Sequence, residues 1–221
     1  MSGRRPPSRR GARPAAGRAG HILLTGFEPF GPDALNPSRE LAKALDGRVV
    51  GGLAVRGLVL PVEHRAARQL VDQALGEPGL RAVVQLGLAG GRARVALERV
   101  GVNAMDYPMP DNAGRLVSDG RCDPDGPAAY WATLPLPAIL RELTAAGIPA
   151  YLSYTAGTYL CNFTLYTTLH AVARRGLDVR AGFVHLPYLP AMVAAHGLEE
   201  PSMDQALMQR AVEIVLGLAL A

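Results

Sequence analysis

The sequence predicts a single three-layer α/β/α domain, with a mostly parallel sheet that carries helices on both faces. Continuous apolar runs alternate with amphipathic segments of about 10–17 residues, which is typical of β and α elements in turn. The runs lack the apolar–polar alternation of a sheet with one wet face. A chain of 221 residues, 49% of them hydrophobic, is long enough for one such core. We expect this domain to span residues 21–221.

The elements follow from these patterns in chain order. Apolar runs predict five strands, at residues 21–27, 55–62, 81–88, 149–157 and 180–190. Helical spacing of apolar residues predicts five helices, at residues 37–45, 64–75, 136–147, 160–176 and 201–220. The stretch 93–131 contains "YPMPDNAG" and "CDPDGPAAY" and is predicted to be irregular.

Capping residues mark several helix ends. Ser38 is a candidate N-cap for the first helix, and Ser202 with Gln205 fits the S-x-x-Q capping box of the last one. Gly147 and Gly176 are placed to end the third and fourth helices.

The first twenty residues form a separate region by composition. They hold six arginines and no acidic residue, so the net charge of +4 becomes −2 without them. We predict that residues 1–20 are a disordered Arg/Pro/Gly-rich tail, because they contain little that could be buried. The tail could bind nucleic acid or an acidic surface, although we expect a solvated extension. No apolar h-region follows its arginine pairs, and no run approaches about 18 apolar residues, so neither export nor a membrane anchor is expected.

Cys161 is the first candidate for chemistry. In an open α/β sheet, ligands bind beyond the carboxyl ends of the strands. Cys161 follows a predicted strand and lies in the first turn of the next helix, where the positive helix end can lower a thiol pKa. The neighbouring amides could also stabilise an oxyanion. Position alone leaves two readings equally open, a nucleophile or a buried inert thiol.

A nucleophilic thiol needs a base, and there are five histidines. His170 lies about 13 Å along the same helix, which is too far. His21 is at the opposite end of the sheet, and His196 is expected in a loop after the last strand. His185 ends the strand that follows Cys161 in sequence, and sequential strands are often neighbours, so His185 is placed best. His64, which also follows a strand, remains an alternative.

Glu98 is the candidate that would orient the histidine. It lies in the apolar stretch "VALERVGV", where a carboxylate needs a partner. Asp106 and Asp111 compete for this role, and a salt bridge between Glu98 and a local arginine is the simpler alternative.

The glycine-rich stretch "GLAGGR" invites a phosphate-binding interpretation. It lacks the G-x-G-x-x-G pattern and no Walker lysine follows, so a turn that lets backbone approach a substrate fits equally well. Arg92 would bring a positive charge to that edge. No Cys/His spacing is typical of zinc, and we expect neither a metal nor another cofactor.

Five motifs in order resemble the pyroglutamyl peptidase I family, also called the pyrrolidone-carboxylate peptidases. They are "LLTGFEPFG…NPS", "GLAGGR…ERVGVN", "MPDNAG", "SYTAGTYLCN" and "GFVHLPYLP". The resemblance runs from about Ile22 to the C-terminus. It implies a single α/β/α domain and a homo-oligomer, a dimer or a tetramer. It also implies a cysteine exopeptidase that hydrolyses the bond after an N-terminal pyroglutamyl residue through a thioester.

The resemblance also implies roles for individual residues. Cys161, His185 and Glu98 match the catalytic triad, and Arg92 matches an arginine that assists at the oxyanion. Residues that match the substrate pocket are Phe27, Phe30 and Asn36. Many bacterial members have a glutamine where this chain has Leu88, so a side-chain contact at that position is in doubt.

Other functions remain as alternatives. One is a nucleoside phosphorylase-like enzyme in which "GLAGGR" holds phosphate, and another is a binding module recruited through the tail. We expect peptides with N-terminal pyroglutamate as partners, and no nucleic acid or membrane. Two cysteines do not make a disulfide framework, which favours the cytoplasm. Cys122, in the polar loop "DGRCDPDG", is expected to be a bystander that could be oxidised.

Overall fold

The computed structural model of the protein describes residues 20–197 and 199–221. The predicted tail, residues 1–20, lies outside the described residues apart from Gly20. In the described part, no helix is long and apolar enough to cross a membrane.

Fifteen helices and strands make up the described chain. The strands are β1 (His21–Phe27), β2 (Val49–Val50), β3 (Leu53–Leu60), β4 (Leu80–Leu88), β5 (Val95–Glu98), β6 (Val100–Val102), β7 (Ala129–Trp131), β8 (Ala150–Ser153) and β9 (Arg180–Leu186). The helices are α1 (Pro37–Leu45), α2 (His64–Ala74), α3 (Leu136–Ala145), α4 (Leu160–Arg175), α5 (Pro190–His196) and α6 (Gln205–Leu218).

Seven strands form one sheet in the order β2-β3-β1-β4-β9-β5-β8. The strands β3, β1, β4 and β9 are parallel to one another. β5 and β8 are parallel to each other but antiparallel to β9, and β2 is antiparallel to β3. The predicted mostly parallel sheet is confirmed, with a reversed pair at one side.

Apolar residues cover both faces of this sheet. In β1, Ile22 and Leu24 point to one face and Leu23 to the other, and all three are fully buried. The first face packs against α1, α3, α5 and α6. The second face packs against α2 and α4. The predicted three-layer α/β/α arrangement is confirmed, and the continuous apolar runs result from this double burial.

The irregular stretch predicted at 93–131 is wrong in part. It contains β5, β6 and β7, and β6 pairs with β7 in a separate two-stranded sheet. These strands have only three or four residues each, so their patterns are too short to recognise. The prediction that His196 lies in a loop is also wrong, because His196 is the last residue of α5.

Two predicted helix caps are wrong. The N-cap of α1 is Asn36, whose side chain accepts a hydrogen bond from the amide of Ser38 at 3.1 Å. The Ser38 hydroxyl instead donates to Asn36 Oδ1 and accepts from the amide of Phe27, at 2.7 and 2.9 Å. The N-cap of α6 is Asp204, which accepts from the amide of Ala206 at 2.8 Å, so the Ser202–Gln205 box does not form.

Candidate active site

Adjacent strands bring His185 and Glu98 together. β9 lies between β4 and β5, where His185 is opposite Ala96 and Glu98 is opposite Phe183. Side chains two residues apart on a strand share a face, so His185 and Glu98 are diagonal neighbours on the same face. His185 Nδ1 donates to Glu98 Oε1 at 2.7 Å. The Glu98 carboxylate therefore holds the imidazole with Nε2 free to accept a proton.

Cys161 reaches the same place from the start of α4. The helix begins at Leu160, and Asn162 anchors its first turn by accepting from the amide of Val102 and donating to the carbonyls of Val102 and Ala104. A Cβ added to Gly87 would lie 2.8 Å from Cys161 Sγ, so the thiol lies close over the backbone of β4.

Gly87 is also the β4 residue opposite His185. The thiol therefore lies beside the strand position that faces the candidate base. Any larger residue at 87 would push the sulfur away from this position.

The expectation that the strand before Cys161 and the strand that ends at His185 are neighbours is wrong. β8 and β9 are not neighbours, because β5 lies between them. β8 also runs against β4 and β9, so its carboxyl end is at the other edge of the sheet. Residues 154–159 return the chain to the site, and Cys161 follows this return rather than the strand end itself.

A cavity of about 190 Å³ opens beside these groups. Six of the seven predicted site residues line it: Phe27, Phe30, Asn36, Arg92, Cys161 and His185. The seventh, Glu98, is fully buried behind His185. The structure thus places all seven around one cavity.

Other residues that line the cavity were missed from the sequence. They are Ala89, Ala156, Gly157, Tyr159 and Leu160, and Leu88 also contributes an apolar side chain. The Tyr159 ring lies 6.2 Å from that of Phe30, between centroids, and tilted by 47°. In the sequence, the aromatic Tyr159 two positions before Cys161 could have predicted this side of the cavity.

Asn36 takes part mainly in the scaffold of the cavity. Its Oδ1 accepts from the amide and hydroxyl of Ser38, and its Nδ2 donates to the Glu28 carbonyl at 3.1 Å. One N–H of the amide group is left for a molecule in the cavity.

The charged groups of the site are coupled. Arg92 Nη1 donates to Glu98 Oε1 at 3.0 Å, and its side chain keeps 28% exposure at the cavity. Burial raises the pKa of Glu98, but hydrogen bonds from His185 and Arg92 outweigh it and hold the pKa below its usual value. Burial lowers the pKa of His185 despite the opposing effect of Glu98. The pair is therefore carboxylate and neutral imidazole at neutral pH.

The expected lowering of the Cys161 pKa is wrong for this structure. Burial raises the pKa of the thiol to about 12, and the negative charge of Glu98 adds to this effect. Arg92 and the Cys161 amide act in the opposite direction but do not outweigh burial. The resting site therefore holds a thiol beside a neutral imidazole.

The competing histidines lie elsewhere. His170 binds the Tyr130 hydroxyl through Nδ1 at 2.9 Å, and His196 binds Asp33 at 2.9 Å. His64 does not line the cavity, and its Nδ1 lies 3.6 Å from Asp111 Oδ2. Asp106 is exposed and also outside the cavity, so neither aspartate replaces Glu98.

Two further predictions concern local packing. A Cβ at Gly90 would collide with the ring of Tyr188, and Gly91 has a φ of +75°, so the glycine-rich turn is required by packing and backbone geometry.

Cys122 lies in a loop as predicted, but its side chain is buried, with Sγ 3.4 Å from the Ala104 carbonyl. Burial raises the pKa of Cys122 to about 12, so it does not fit the expected oxidisable thiol.

Comparisons with known proteins all point to one family. The family model described as pyroglutamyl peptidase matches residues 20–220. The pyrrolidone-carboxylate peptidase of Pyrococcus furiosus is 40% identical over 202 residues, which cover 90% of this chain and 97% of that protein. That of an Enterobacter species is 42% identical over 200 residues, covering 90% and 92%.

Solved structures show the same fold. The pyrrolidone carboxyl peptidase of Thermococcus litoralis has a TM-score of 0.88 and 40% identity, covering 91% of this chain and 93% of that one. A mutant pyrrolidone carboxyl peptidase of P. furiosus has a TM-score of 0.87 and 39% identity, covering 90% and 98%.

Proposed function

Because the chain belongs to the pyroglutamyl peptidase family, and is therefore a hydrolase of the cysteine peptidase type, we propose that it removes N-terminal pyroglutamate from peptides with Cys161, His185 and Glu98 as its triad. The observation that carries this proposal is the single cavity lined by Cys161, His185 and Arg92, with Glu98 hydrogen-bonded behind the imidazole.

The cavity suits an uncharged, flat lactam. Its described lining contains no acidic side chain, while Arg92 contributes a positive charge. A free N-terminal ammonium would find no counter-ion there and would be repelled. Pyroglutamate has its amine inside a neutral ring, so the faces of that ring can pack against Phe27 and Phe30. Buried polar groups that bind the lactam would be left unpaired by substrates that lack it.

Attack begins with proton transfer from Cys161. Because the thiol is protonated and the imidazole neutral at rest, Nε2 of His185 removes the thiol proton as sulfur attacks the pyroglutamyl carbonyl carbon. The imidazolium that forms is stabilised by the ionised carboxylate of Glu98 at 2.7 Å.

The oxyanion has two sources of stabilisation. The amide of Cys161 lies in the first turn of α4, where backbone N–H groups have no helical acceptor. Arg92 supplies a fixed positive charge at the cavity wall. Together they would bind the negative oxygen of the tetrahedral intermediate.

Collapse of this intermediate breaks the C–N bond. His185 gives its proton to the leaving amine, and the pyroglutamyl group stays on Cys161 as a thioester. Water, activated by the now neutral His185, then attacks the thioester carbonyl. This step releases pyroglutamate and returns the thiol.

Hydrolysis of a pyroglutamyl fluorogenic amide, with the matching prolyl amide as control, tests the function. We expect the wild type to cleave the first and spare the second, because proline has a charged amine and no lactam carbonyl. Cys161→Ala should cleave neither amide. An inactive wild type would refute the substrate assignment, and an active Cys161→Ala protein would refute the nucleophile.

Other expectations have less support. Family membership leaves the phosphorylase alternative without support, and the binding-module alternative depends on a tail outside the described residues. We retain a cytoplasmic location, a homo-oligomer and no nucleic-acid partner as proposals. Both cysteines are free thiols, which a reducing compartment would preserve.

A further inference from the structure

A second cluster of buried polar groups lies outside the active site. It joins the start of α2 to residues 107–111 and contains His64, Asp111 and Tyr107. Among the described residues, His64 Nδ1, Asp111 Oδ2 and the Tyr107 hydroxyl are buried and have no hydrogen-bond partner. Buried polar atoms in native proteins are nearly always paired. His64 Nδ1 and Asp111 Oδ2 face each other at 3.6 Å without a hydrogen bond, which indicates a missing shared partner.

The spacing of the cluster fits a metal ion. His64 Nδ1 is 3.6 Å from Asp111 Oδ2 and 3.9 Å from Glu63 Oε1, and the three ligand atoms all lie within 4.8 Å of one another. We propose that Glu63, His64 and Asp111 bind a Zn²⁺-type cation. Imidazole nitrogen and carboxylate oxygen are both zinc ligand types, and three protein ligands would leave a fourth position of a tetrahedral site open.

A direct hydrogen bond between His64 and Asp111 does not account for the orphan atoms. At 3.6 Å the two atoms are too far apart. Asp111 Oδ1 is already fixed by the amides of Ala113 and Arg115, at 3.0 and 2.9 Å, which aims Oδ2 at the imidazole. The Asp111 side chain has 0% exposure, so bulk water does not reach Oδ2.

The neighbouring groups hold the ligands in place. The His64 ring lies edge-on to Phe163 and Tyr107, with centroids 5.4 and 6.2 Å away. Glu63 is the N-cap of α2 and accepts from the amides of Arg65 and Ala66, so its carboxylate is oriented before any ion binds. A rigid set of ligands loses little freedom on binding.

The electrostatics also favour a cation. Two carboxylates face the site, whereas Arg115 is the opposing positive charge that acts on His64. The first-turn amides of α2 are turned toward the Glu63 carboxylate, which offsets the positive helix end.

A test of zinc binding must exclude other places in the chain where zinc could bind. Residues 1–19 contain no His, Cys, Asp or Glu. The Cys161–His185 pair is a second place where zinc could bind, because thiolate and imidazole are zinc ligands. The experiment therefore uses the full chain carrying Cys161→Ala, and its readout is binding rather than peptidase activity.

Titration of this protein with ZnCl₂, after treatment with a chelator, tests the proposal. Calorimetry should give one zinc per chain. Asp111→Asn in the same background should weaken zinc binding at least about 100-fold, because it removes one anionic ligand while Asn can still accept the two backbone amides. His64→Gln should weaken it similarly.

Asp33→Asn is the matched control, since Asp33 also contacts a histidine, His196, outside the cluster. It should leave the stoichiometry and affinity unchanged. Circular dichroism checks that each variant is folded, and zinc should raise the melting temperature of the parent but not of Asp111→Asn. The proposal is wrong if the parent binds no zinc, or if Asp111→Asn and His64→Gln bind it as tightly as the parent.

Discussion

Two histidine–carboxylate pairs of this domain differ in what their geometry permits. Glu98 and His185 are 2.7 Å apart and hydrogen-bonded, next to a cavity that also exposes Cys161. His64 and Asp111 are 3.6 Å apart, with no hydrogen bond between them and no cysteine beside them. The comparison shows that a histidine near a carboxylate is insufficient to identify a base. The hydrogen bond and the neighbouring thiol distinguish the two.

The two pairs differ because their backbones differ. His185 and Glu98 are on adjacent strands, whose register sets the distance between the side chains. His64 begins a helix and Asp111 lies in a turn, so no ladder of hydrogen bonds relates them directly. The strand pair suits a fixed proton acceptor, whereas the helix–turn pair holds its two side chains too far apart for a direct hydrogen bond.

Alanine at each histidine should give the largest contrast. His185→Ala removes the proposed base and should lower kcat/KM for a pyroglutamyl amide by about 10³-fold or more. His64→Ala should change kcat/KM by less than about 5-fold, since His64 does not line the cavity. Steady-state kinetics measures both, with thermal melts to confirm folding. A large loss for His64→Ala in a folded protein would reverse our choice of histidine.

Changing the carboxylates tests the other half of each pair. Glu98→Gln keeps the size of the side chain but removes the charge that stabilises the imidazolium, so kcat should fall by about 10²-fold or more. Asp111→Asn should keep kcat within about 3-fold. Equal kcat values for Glu98→Gln and the wild type would show that the Glu98 charge has no part in turnover.

The pH dependence of kcat/KM should reflect the hydrogen bond between His185 and Glu98. The proposed mechanism needs neutral His185, and burial lowers the pKa of this residue from 6.5. We therefore expect kcat/KM to be highest at neutral pH and to fall as the pH drops through a value below 6.5. Because Glu98 raises the pKa of His185, Glu98→Gln should move this acid limb to still lower pH. A limb above 6.5, or one that Glu98→Gln moves upward, would contradict the assignment.

The smallest expected effect concerns the hydrogen bonds that Ser38 makes beside the active-site cavity. Ser38 and Ser202 both look like helix caps in the sequence, yet only Ser38 is buried in a network, between the Phe27 amide and Asn36. Ser38→Ala should lower the free energy of unfolding by about 1–3 kcal/mol, because it leaves the Phe27 amide unpaired. Ser202→Ala should stay within about 0.5 kcal/mol. Urea denaturation compares them, and equal losses would disprove the role of the Ser38 network.

The sequence predicted most elements because doubly covered strands are continuous apolar runs, as in residues 21–27 and 81–88. It nominated Cys161, His185 and Glu98 from position and charge, and the resemblance then supplied their proposed roles. The reversed strands β5 and β8 were out of reach, since strand direction depends on pairing partners far away in the chain.

Burial was also difficult to predict. The thiol of Cys161 lies at a helix start, which favours thiolate, but burial by the surrounding protein raises its pKa even though the residue lines the cavity. Cys122 lies in a polar segment, although its side chain points into the core. Both outcomes depend on tertiary contacts rather than on the neighbouring residues in sequence.

The position of β9 in the sheet sets the order in which this enzyme is completed. β9 is the last strand to leave the ribosome, yet it lies between β4 and β5, so the sheet cannot close until residues 180–186 have been made. His185 and Glu98 are separated by 87 positions in the chain, and their pairing must await this late insertion. A growing chain therefore carries Cys161 for some time before His185, its proposed base, can lie beside it. If the proposed triad is right, we expect peptidase activity only after β9 has entered the centre of the sheet.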